Sequence, residues 1–488
     1  MTVDITPTHE KMLIGGEWVE AASGDRIDVI TPIDRNVVIA GTPRAGKEDA
    51  DRAVAAARRA YPAWAGLHFK ERQRMLLAVA DELAGEAENL SQLTALDTGN
   101  ALRTQARPES QTLIDLFRFF GGVAGEVKGT VLPAGDNQLQ YTRRQPLGVV
   151  AGILPWNSPL MIAGFKTPAA LAAGNTMVLK AAEDAPLTIL KMAEICQRVL
   201  PPGVLNVVTG LGAEIGEELV VHPDVDKVSF TGSTLIGRGV AQKAGARLAH
   251  SSLELGGKSP SIVFPDSCTD DVVDQVLLAT RFARQGQSCT SGSRLFLHED
   301  IYDDFLGRLV DKISGLKVGD PREEASDIGA VINKKQYDRI AEYIADGKSQ
   351  DGVQVAYDGA DKLTVGEPGF YHAPQVLSRV SNDWRIAQEE IFGPVLAVLP
   401  WKDEDKVVEM ANATHYGLAA FVFSKNLDSA LKTAHRIDSG WVQVNQGGGQ
   451  VVGQAYGGFK TSGIGREVSV EGMLEGFTQT KQINVKLA

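Results

Sequence analysis

Short apolar runs that alternate with helical stretches constrain the fold of this chain more than any other sequence feature. Four such runs lie at Gly148–Leu154, Thr176–Leu179, Val204–Val208 and Val228–Phe230. Stretches with helical periodicity separate or follow them near Leu187–Leu200, Glu214–Val221 and Leu235–Ala244. Alternation of this kind favours right-handed crossovers onto a parallel sheet. The sequence therefore predicts an α/β fold.

The length of 488 residues predicts two large domains with a small appendage. Helices are predicted ahead of the alternating region, at Lys47–Arg59, Lys70–Glu86 and Pro108–Gly121. The stretch Val127–Arg144 alternates weakly and is predicted to form an extended ribbon. A second α/β region begins after Gly256 and runs to about Glu475, so the domain boundary is placed where the pattern restarts.

Charge and composition exclude several classes of protein. A net charge of −12 argues against a nucleic-acid partner, which requires a basic face. Three scattered cysteines predict neither a disulfide framework nor a metal site, and they favour a reducing, cytoplasmic location. No basic stretch leads into an apolar run at the start, so no secretory signal is predicted. The most apolar region, Val149–Leu179, is interrupted by prolines and polar residues, and no membrane span is expected.

Glu254 and Cys289 are the strongest candidates for catalysis. Glu254 lies between Leu253 and Leu255, where an ionised carboxylate loses hydration and its pKa should rise toward that of a general base. Cys289 lies in the polar string GQSCTSG, just past the predicted helix Asp270–Arg284, so its thiol has the access that a nucleophile needs. Alone, each has an ordinary structural interpretation, an inert loop cysteine or a surface charge.

Glycine placement in the first α/β region points to a dinucleotide. The string TGLGAEIG is one residue longer than the familiar glycine fingerprint, and TGSTLIG surrounds a predicted helix start. Backbone N–H groups there, together with a serine hydroxyl, can hold a pyrophosphate. The residues concerned are Gly210, Gly212, Gly216, Gly232, Ser233 and Gly237. Helix caps and tight turns are the structural alternative.

Lys180 and Glu183 lie just past the end of the predicted strand Thr176–Leu179. Open parallel sheets bind ligands at the carboxyl ends of their strands, where a carboxylate can accept hydrogen bonds from both ribose hydroxyls of an adenosine. The alternative is an exposed ion pair that contributes only about 0.2–0.5 kcal/mol.

Seven strings in order resemble the aldehyde dehydrogenase superfamily, from about Leu13 to Val485. They are PWNSP at Pro155–Pro159, the pair Lys180 and Glu183, FTGST at Phe230–Thr234, LELGGKSP at Leu253–Pro260, GQSCTSGSR at Gly286–Arg294, EEIFGPV at Glu389–Val395 and GGFKTSGIGRE at Gly457–Glu467. The resemblance implies a Rossmann-like NAD-binding domain (1–125 and 147–255), an α/β catalytic domain (256–474) and a small β oligomerisation element (126–146 and 475–488). It also implies a homodimer or homotetramer.

The resemblance assigns a mechanism to specific residues. Cys289 attacks a small-molecule aldehyde, and the Asn157 amide with the Cys289 N–H stabilises the oxyanion. Hydride leaves to the cofactor, and Glu254 activates the water that hydrolyses the resulting thioester. Lys180 serves in a proton route to this base, and Glu471 is the second acid expected to complete it.

The resemblance implies NAD as the cofactor. Glu183 disfavours a 2′-phosphate, although NADP remains possible because Lys180 is close by. Glu390 holds the nicotinamide ribose, and Phe392 packs against that end. The full cofactor set is Ile153, Pro155, Trp156, Lys180, Glu183, Gly212, Phe230, Gly232, Ser233, Gly237, Leu255, Gly256, Glu390 and Phe392.

The substrate tunnel is expected between the helix after Asn157 and the loop Gln446–Tyr456. Its residues are Ser158, Met161, Ile162, Phe165, Ser288, Thr290 and Tyr456. Three glycines, Gly447–Gly449, leave room for a flat ligand, and Phe165 and Tyr456 can stack on a ring. No Lys or Arg is evident at these positions, which favours a neutral, bulky or aromatic aldehyde. A broad-range aliphatic enzyme is the alternative, in which the glycines merely shape a turn.

Three other classes of protein fit these sequence strings less well. CoA-acylating relatives usually lack an acid at the position of Glu254. A non-catalytic protein would be free to lose Cys289 or Asn157, and both are present. Cofactor-free ester hydrolysis would leave the dinucleotide elements without a purpose.

Overall fold

The computed structural model describes residues 10–487, so the ends of the predicted outer ranges, 1–9 and 488, lie outside the described residues. The strands within it are β1 (Met12–Ile14), β2 (Glu17–Val19), β3 (Arg26–Ile30), β4 (Val38–Pro43), β5 (Val131–Leu132), β6 (Gln138–Pro146), β7 (Val149–Ile153), β8 (Thr176–Lys180), β9 (Leu205–Val208), β10 (Lys227–Thr231), β11 (His250–Glu254), β12 (Pro260–Val263), β13 (Arg294–His298), β14 (Gln354–Asp358), β15 (Gln375–Ser378), β16 (Val395–Trp401), β17 (Ala419–Phe423), β18 (Trp441–Val444), β19 (Gly463–Ile464) and β20 (Thr478–Lys486). The α-helices are α1 (Lys47–Gly66), α2 (Phe69–Gly85), α3 (Ala87–Thr98), α4 (Arg107–Gly122), α5 (Pro159–Ala172), α6 (Leu187–Gln197), α7 (Glu217–Val221), α8 (Thr234–Ala246), α9 (Asp270–Thr280), α10 (Tyr302–Ser314), α11 (Lys334–Lys348), α12 (Arg385–Gln388), α13 (Glu404–Asn412), α14 (Leu427–Arg436) and α15 (Val470–Phe477).

The first sheet has the strand order β19-β11-β10-β7-β8-β9-β1-β2. Its central strands, β11, β10, β7, β8 and β9, run parallel, as the strand–helix alternation predicts. Helix α5 packs beside this sheet and is buried along its whole length. A helix that is apolar on all sides avoids water on every face, which explains why α5 lies inside the domain.

The second sheet has the order β14-β15-β16-β13-β12-β17-β18. All neighbouring strands pair in parallel except the edge strand β14, which is antiparallel. Strands β12, β15 and β17 are buried at every residue, in keeping with a sheet covered on both faces. The α/β fold class is therefore confirmed, with two large sheets. No helix within residues 10–487 is both long and apolar enough to cross a membrane.

A third, antiparallel sheet has the order β20-β6-β5 and is largely exposed. β20 pairs with β6 over nine positions, from Thr478 opposite Pro146 to Lys486 opposite Gln138. This sheet joins the predicted ribbon to the C-terminal strand. Its role in oligomerisation stays a prediction.

Two details differ from the pattern in the sequence. The short strand β19 crosses back from the second α/β region and pairs with Leu253 and Glu254 at the edge of the first sheet. The predicted helix Asp270–Arg284 ends at Thr280 instead, because Arg281 adopts a left-handed conformation with φ of 58°. The sequence does not predict a non-glycine residue in this conformation. The turn directs the following residues toward the loop that contains Cys289.

Candidate active site

Glu254 is the last residue of β11, and its side chain is buried. Neither of its carboxylate oxygens has a hydrogen-bond partner among residues 10–487. Burial, followed by the nearby charge of Glu467, raises the pKa of Glu254 well above its usual value. A carboxyl group so placed readily takes up a proton near neutral pH, which is the property of a general base.

Cys289 lies on the loop between α9 and β13, with its Sγ 3.4 Å from the hydroxyl oxygen of Tyr456. Burial raises the pKa of the Cys289 thiol to about 11, while the Tyr456 hydrogen bond and the positive charge of Arg284 pull it the other way. The thiol is therefore protonated at neutral pH, and attack on a substrate requires a proton acceptor. The Glu254 charge acts on this thiol electrostatically and raises its pKa further.

The Asn157 side chain is fixed next to the nucleophile. Its Nδ2 donates to the carbonyl of Gln287 at 2.9 Å, two residues before Cys289. The backbone carbonyl of Asn157 accepts a 3.0 Å hydrogen bond from the side-chain amide of Asn100. A β-carbon at Gly257 would lie 2.4 Å from the Cys289 carbonyl oxygen, so the chain after β11 closely approaches the nucleophile loop. The amide, the thiol and the carboxylate thus come from three segments that converge.

A buried ion pair accompanies the Glu254 carboxylate. The Lys166 Nζ on α5 lies 2.8 Å from Glu467 Oε1 and 3.0 Å from the Ser229 hydroxyl. The exposed fractions of the two charged side chains are 0% and 1%. The Glu467 charge raises the pKa of Glu254 and the Lys166 charge lowers it, so this pair tunes the base.

Lys180 and Glu183 meet at the carboxyl end of β8. The Lys180 Nζ lies 2.5 Å from Glu183 Oε2, and the Gly212 N–H donates to Glu183 Oε1 at 3.4 Å. Burial opposes ionisation of Glu183, but the Lys180 ammonium outweighs it and lowers the Glu183 pKa below its usual value. The three predicted residues therefore form one cluster with an ionised carboxylate.

The N-terminus of α8 follows β10 on the same edge of the sheet. Ser233 caps the helix by accepting from the Ile236 N–H at 3.4 Å. A β-carbon at Gly237 would lie 2.3 Å from the Leu255 side chain, so only glycine allows this close approach. Leu235 is 79% exposed and Ile236 is 56% exposed. A helix N-terminus beside exposed apolar side chains suits a ligand with both a phosphate and a flat ring.

Glu390 and Phe392 lie beyond the end of the first sheet. Glu390 Oε1 accepts the Gly257 N–H at 2.9 Å, and burial raises its pKa to about 7. A β-carbon at Gly256 would come within 2.5 Å of the same carboxylate. The Phe392 ring packs edge-to-face on Trp156 with centroids 5.4 Å apart. This corner joins the two large domains within reach of Cys289, whose pKa the Glu390 charge raises.

A cavity of about 410 Å³ lies between α5, the turn after α9 and the loop around Gly449. Its wall includes Met161 and Phe165 from α5 and also Gly449. The Phe165 ring lies 5.6 Å from the Tyr456 ring, whose hydroxyl touches Cys289. The remaining lining residues are Thr104, Gln105, Pro108, Thr112, Leu277, Leu278, Arg281, Phe282, Ala283, Arg284, Leu316, Asp327, Gln450, Val452 and Val468.

The sequence matches the profile of the aldehyde dehydrogenase family over residues 18–483. It is 39% identical over 486 residues to a mitochondrial aldehyde dehydrogenase of Leishmania tarentolae, covering 99% of this chain and 96% of that protein. It is 41% identical over 484 residues to a hydroxyisobutyraldehyde dehydrogenase of Mycolicibacterium austroafricanum, covering 99% and 95%. An aldehyde dehydrogenase from Bacillus cereus, solved as an NAD⁺ complex, superposes with a TM-score of 0.95 at 36% identity, covering 99% and 98%. The chain belongs to the aldehyde dehydrogenase family.

The predicted family is thus confirmed, and the protein is an NAD(P)-dependent aldehyde dehydrogenase. Of the predicted substrate residues of this aldehyde dehydrogenase, Met161 and Phe165 line the cavity, whereas Ser158, Ile162, Ser288, Thr290 and Tyr456 are not among its lining residues. Ser288 and Thr290 flank the nucleophile, with their hydroxyl oxygens 3.2 Å apart. Other predicted residues that are buried at the ends of the first-sheet strands or on α5 are Ile153, Phe230, Leu255, Ser158, Met161 and Ile162. Pro155 and Trp156 are partly exposed between β7 and α5.

The structure does not place Glu471 beside Glu254 in this dehydrogenase. Glu471 lies in the first turn of α15 with its side chain exposed to solvent. Glu467 instead is buried beside Lys166 and acts on Glu254. Sequence reasoning missed this pair, although a lone lysine inside the apolar α5 required a buried acid to neutralise it. Lys180, the other residue expected in the proton route, is paired with Glu183.

Two cationic residues that the sequence analysis does not name lie on the cavity wall beside Met161 and Phe165. Arg281 and Arg284 both line the cavity of this aldehyde dehydrogenase. The sequence pattern predicts a continuous helix through both arginines. In the structure, the left-handed turn at Arg281 ends α9 and brings both side chains onto the cavity wall. The Arg281 guanidinium donates to the carbonyls of Gly447 and Gly448, at 2.9 and 2.5 Å. A β-carbon at Gly447 would lie 1.8 Å from the Gln275 carbonyl, so this glycine serves packing.

Proposed function

We propose that this enzyme oxidises a bulky, ring-bearing aldehyde to its carboxylic acid with NAD. The observation that carries the proposal is the 410 Å³ cavity, whose aromatic wall at Phe165 continues through Tyr456 to Cys289. Aromatic side chains favour offset or edge contacts with a ring, at about 0.5–1.5 kcal/mol beyond burial. The side-chain-free backbone at Gly449 leaves room for a flat ligand on the opposite wall.

The residues at the strand ends fit NAD. Glu183, held ionised by Lys180, would accept hydrogen bonds from the adenosine ribose, and the α8 N-terminus near Ser233 would receive the pyrophosphate. Glu390 would hold the nicotinamide ribose, and Phe392 would pack against that end of the cofactor. When bound, the nicotinamide supplies the acceptor for the hydride that leaves the substrate.

The first chemical step forms a bond between Cys289 Sγ and the aldehyde carbon. The thiol of the partly buried Cys289 loses its proton to solvent, and the Tyr456 hydrogen bond and the Arg284 charge favour the thiolate that attacks. The carbonyl oxygen becomes an oxyanion, which the Asn157 amide and the Cys289 N–H stabilise. Loss of one such donor typically costs about 3–4 kcal/mol in the barrier.

The second chemical step hydrolyses the thioester that remains on Cys289. Glu254 removes a proton from water, the new C–O bond forms, and the C–S bond breaks to release the acid and the thiolate. The proton must then leave a buried carboxyl group. We assign its exit to Glu467 and Lys166, because the charges of this hydrogen-bonded pair act electrostatically on Glu254.

We also assign the exposed third sheet to assembly of a cytoplasmic homodimer or homotetramer. β20 is a nine-residue edge strand with its outer hydrogen-bonding groups unpaired within residues 10–487. A long, open edge is a template for pairing with another strand, so natural proteins cover it. A second copy of the chain covers this edge most simply.

A comparison of aldehydes tests the proposed substrate class. We expect kcat/KM for benzaldehyde to exceed that for acetaldehyde by about tenfold or more, because ring burial adds roughly 1.5 kcal/mol or more to transition-state binding. Formation of NADH with benzaldehyde, hexanal and acetaldehyde, with and without CoA, measures it. A clear preference for acetaldehyde refutes the ring-binding cavity. A preference for hexanal would make the enzyme a broad-range aliphatic aldehyde dehydrogenase. This is the second candidate function, because one relative is named for hydroxyisobutyraldehyde, an aliphatic aldehyde.

The cofactor preference depends on Glu183. Replacement of Glu183 by glutamine should raise kcat/KM with NADP relative to NAD by about tenfold, because the ionised carboxylate no longer repels a 2′-phosphate and Lys180 becomes free to bind it. Steady-state kinetics with both cofactors give the ratio. Glu214, an exposed acid paired with Arg44, offers a control, and Glu214→Gln should leave the ratio unchanged. An unaltered ratio in the Glu183 variant would remove this residue from cofactor selection.

A further inference from the structure

Arg284 occupies the wall of the substrate cavity without a strong partner. Its Nη1 lies 3.4 Å from the Ser158 hydroxyl, and its Nη2 lies 4.0 Å from the Met161 sulfur. Neither contact is a strong hydrogen bond, and neither neutralises a charge. A guanidinium has five N–H donors in a planar fork, so most of its capacity is unused.

The carboxylates around this arginine are engaged elsewhere. Glu109 attracts Arg284 electrostatically, but its oxygens accept from the Leu160 and Met161 N–H groups and from the Gln105 amide. Burial raises the pKa of Glu109 to about 7, so part of its charge is lost at neutral pH. Asp327, the other acid on the cavity wall, is 2.5 Å from Arg103. No ion pair to Arg284 is formed within residues 10–487.

Arg281 adds a second positive charge to the same wall. Its guanidinium donates to the carbonyls of Leu278, Gly447 and Gly448, which use three of its five N–H donors but carry no net charge. The cavity therefore has two cations, and Arg284 is the one held only by weak contacts. A cation away from water is costly unless an anion pairs with it.

We infer that Arg284 binds a carboxylate on the substrate, at the end remote from the aldehyde. The planar fork of a guanidinium matches the two oxygens of a carboxylate and gives a short, charge-assisted pair. The substrate class is then an aldehyde acid whose ring lies along Phe165 while its carboxylate reaches Arg284. This inference rests on the proposed function, since it adds an anionic group to the ring-bearing aldehyde.

A different role for Arg284 would give a different kinetic signature. Its positive charge also favours the thiolate of Cys289. An effect on the nucleophile changes the rate with every aldehyde equally and shifts the pH profile. A contact with the substrate changes only the rate with carboxylated aldehydes, and chiefly through KM.

The test compares 4-carboxybenzaldehyde with 4-methylbenzaldehyde, which has a similar shape and no charge. We expect the wild-type enzyme to favour the carboxylated aldehyde in kcat/KM by at least about tenfold. Arg284→Gln should lower the ratio of the two kcat/KM values by about 10- to 100-fold, the range expected for a lost charge-assisted contact. Arg284→Lys should restore part of it, and Arg118→Gln on the surface of α4 should leave it unchanged.

A second measurement on the wild-type enzyme does not depend on the folding of any variant. Benzene-1,4-dicarboxylate should inhibit with a Ki at least about tenfold below that of 4-methylbenzoate, because only the former keeps an anion for Arg284. Equal Ki values for the two acids overturn the inference. So does an equal loss of kcat/KM with both aldehydes in Arg284→Gln. Oxidation of both aldehydes at the same rate by the wild type overturns it and leaves the proposed function standing. If neither is oxidised with NAD, the proposed function fails as well.

Discussion

Replacement of Cys289 by alanine is expected to abolish dehydrogenase turnover, with a loss in kcat of at least about four orders of magnitude. The thiol makes the only covalent bond to the substrate, and alanine offers no atom that can form one. Binding of NAD should stay within about threefold of wild type, because the cofactor residues at the ends of β8 and β10 are left intact. Stopped-flow NADH formation and a cofactor titration measure the two quantities.

Cys268 provides the matched control for this variant. Its Sγ contacts Asp304 Oδ2 at 3.2 Å near the start of α9, away from the catalytic loop. Cys268→Ala should therefore keep wild-type turnover. Measurable steady-state dehydrogenase or esterase activity in Cys289→Ala would exclude Cys289 as the nucleophile.

Replacement of Glu254 by glutamine is expected to separate hydride transfer from hydrolysis. The amide has the shape of the carboxyl group but cannot accept a proton, so the thioester accumulates and the steady-state rate falls by about 10²- to 10⁴-fold. One equivalent of NADH per active site should still appear in a burst. Because burial and Glu467 raise the pKa of Glu254, the wild-type rate should fall as the pH drops through that pKa. The variant should lack this limb, and rapid-quench and pH-rate measurements check both points.

Glu471→Gln is a control that also distinguishes the two candidates for the second acid in the proton route, Glu471 and Glu467. The exposed Glu471 should tolerate glutamine with no change in rate or pH profile. Glu467→Gln should lower the pKa seen in the wild-type pH profile, because the Glu467 charge raises that of Glu254. Wild-type steady-state turnover in Glu254→Gln would mean that another group activates water.

The local pattern predicts the parallel sheets well and the electrostatic partners poorly. Buried parallel strands are continuous apolar runs, so β7, β8, β9 and β10 lie within one or two residues of their predicted bounds. Lys166 and Glu467 are 301 positions apart and meet only in the folded chain. No periodicity connects them, and only the physical demand of a buried lysine for an acid indicates that a partner exists.

The cavity arginines were missed for a different reason. The sequence has helical periodicity from Asp270 through Arg284. No residue in this stretch indicates that Arg281 leaves the helix with a positive φ. The turn is set by tertiary contacts, including the carbonyls of Gly447 and Gly448 that receive the Arg281 guanidinium. Such long-range constraints override local preference.

The return of the chain to the first sheet affects how the protein is made. β19 closes the edge beside Glu254, and Glu467 neutralises Lys166 deep within α5, yet both come from the last part of the sequence. During synthesis, α5 leaves the ribosome with an unpaired lysine on an otherwise apolar helix. We therefore expect the first sheet to stay incompletely packed until nearly the whole chain has been translated. Its interval of exposure to chaperones and proteases is set by the time needed to synthesise the second domain.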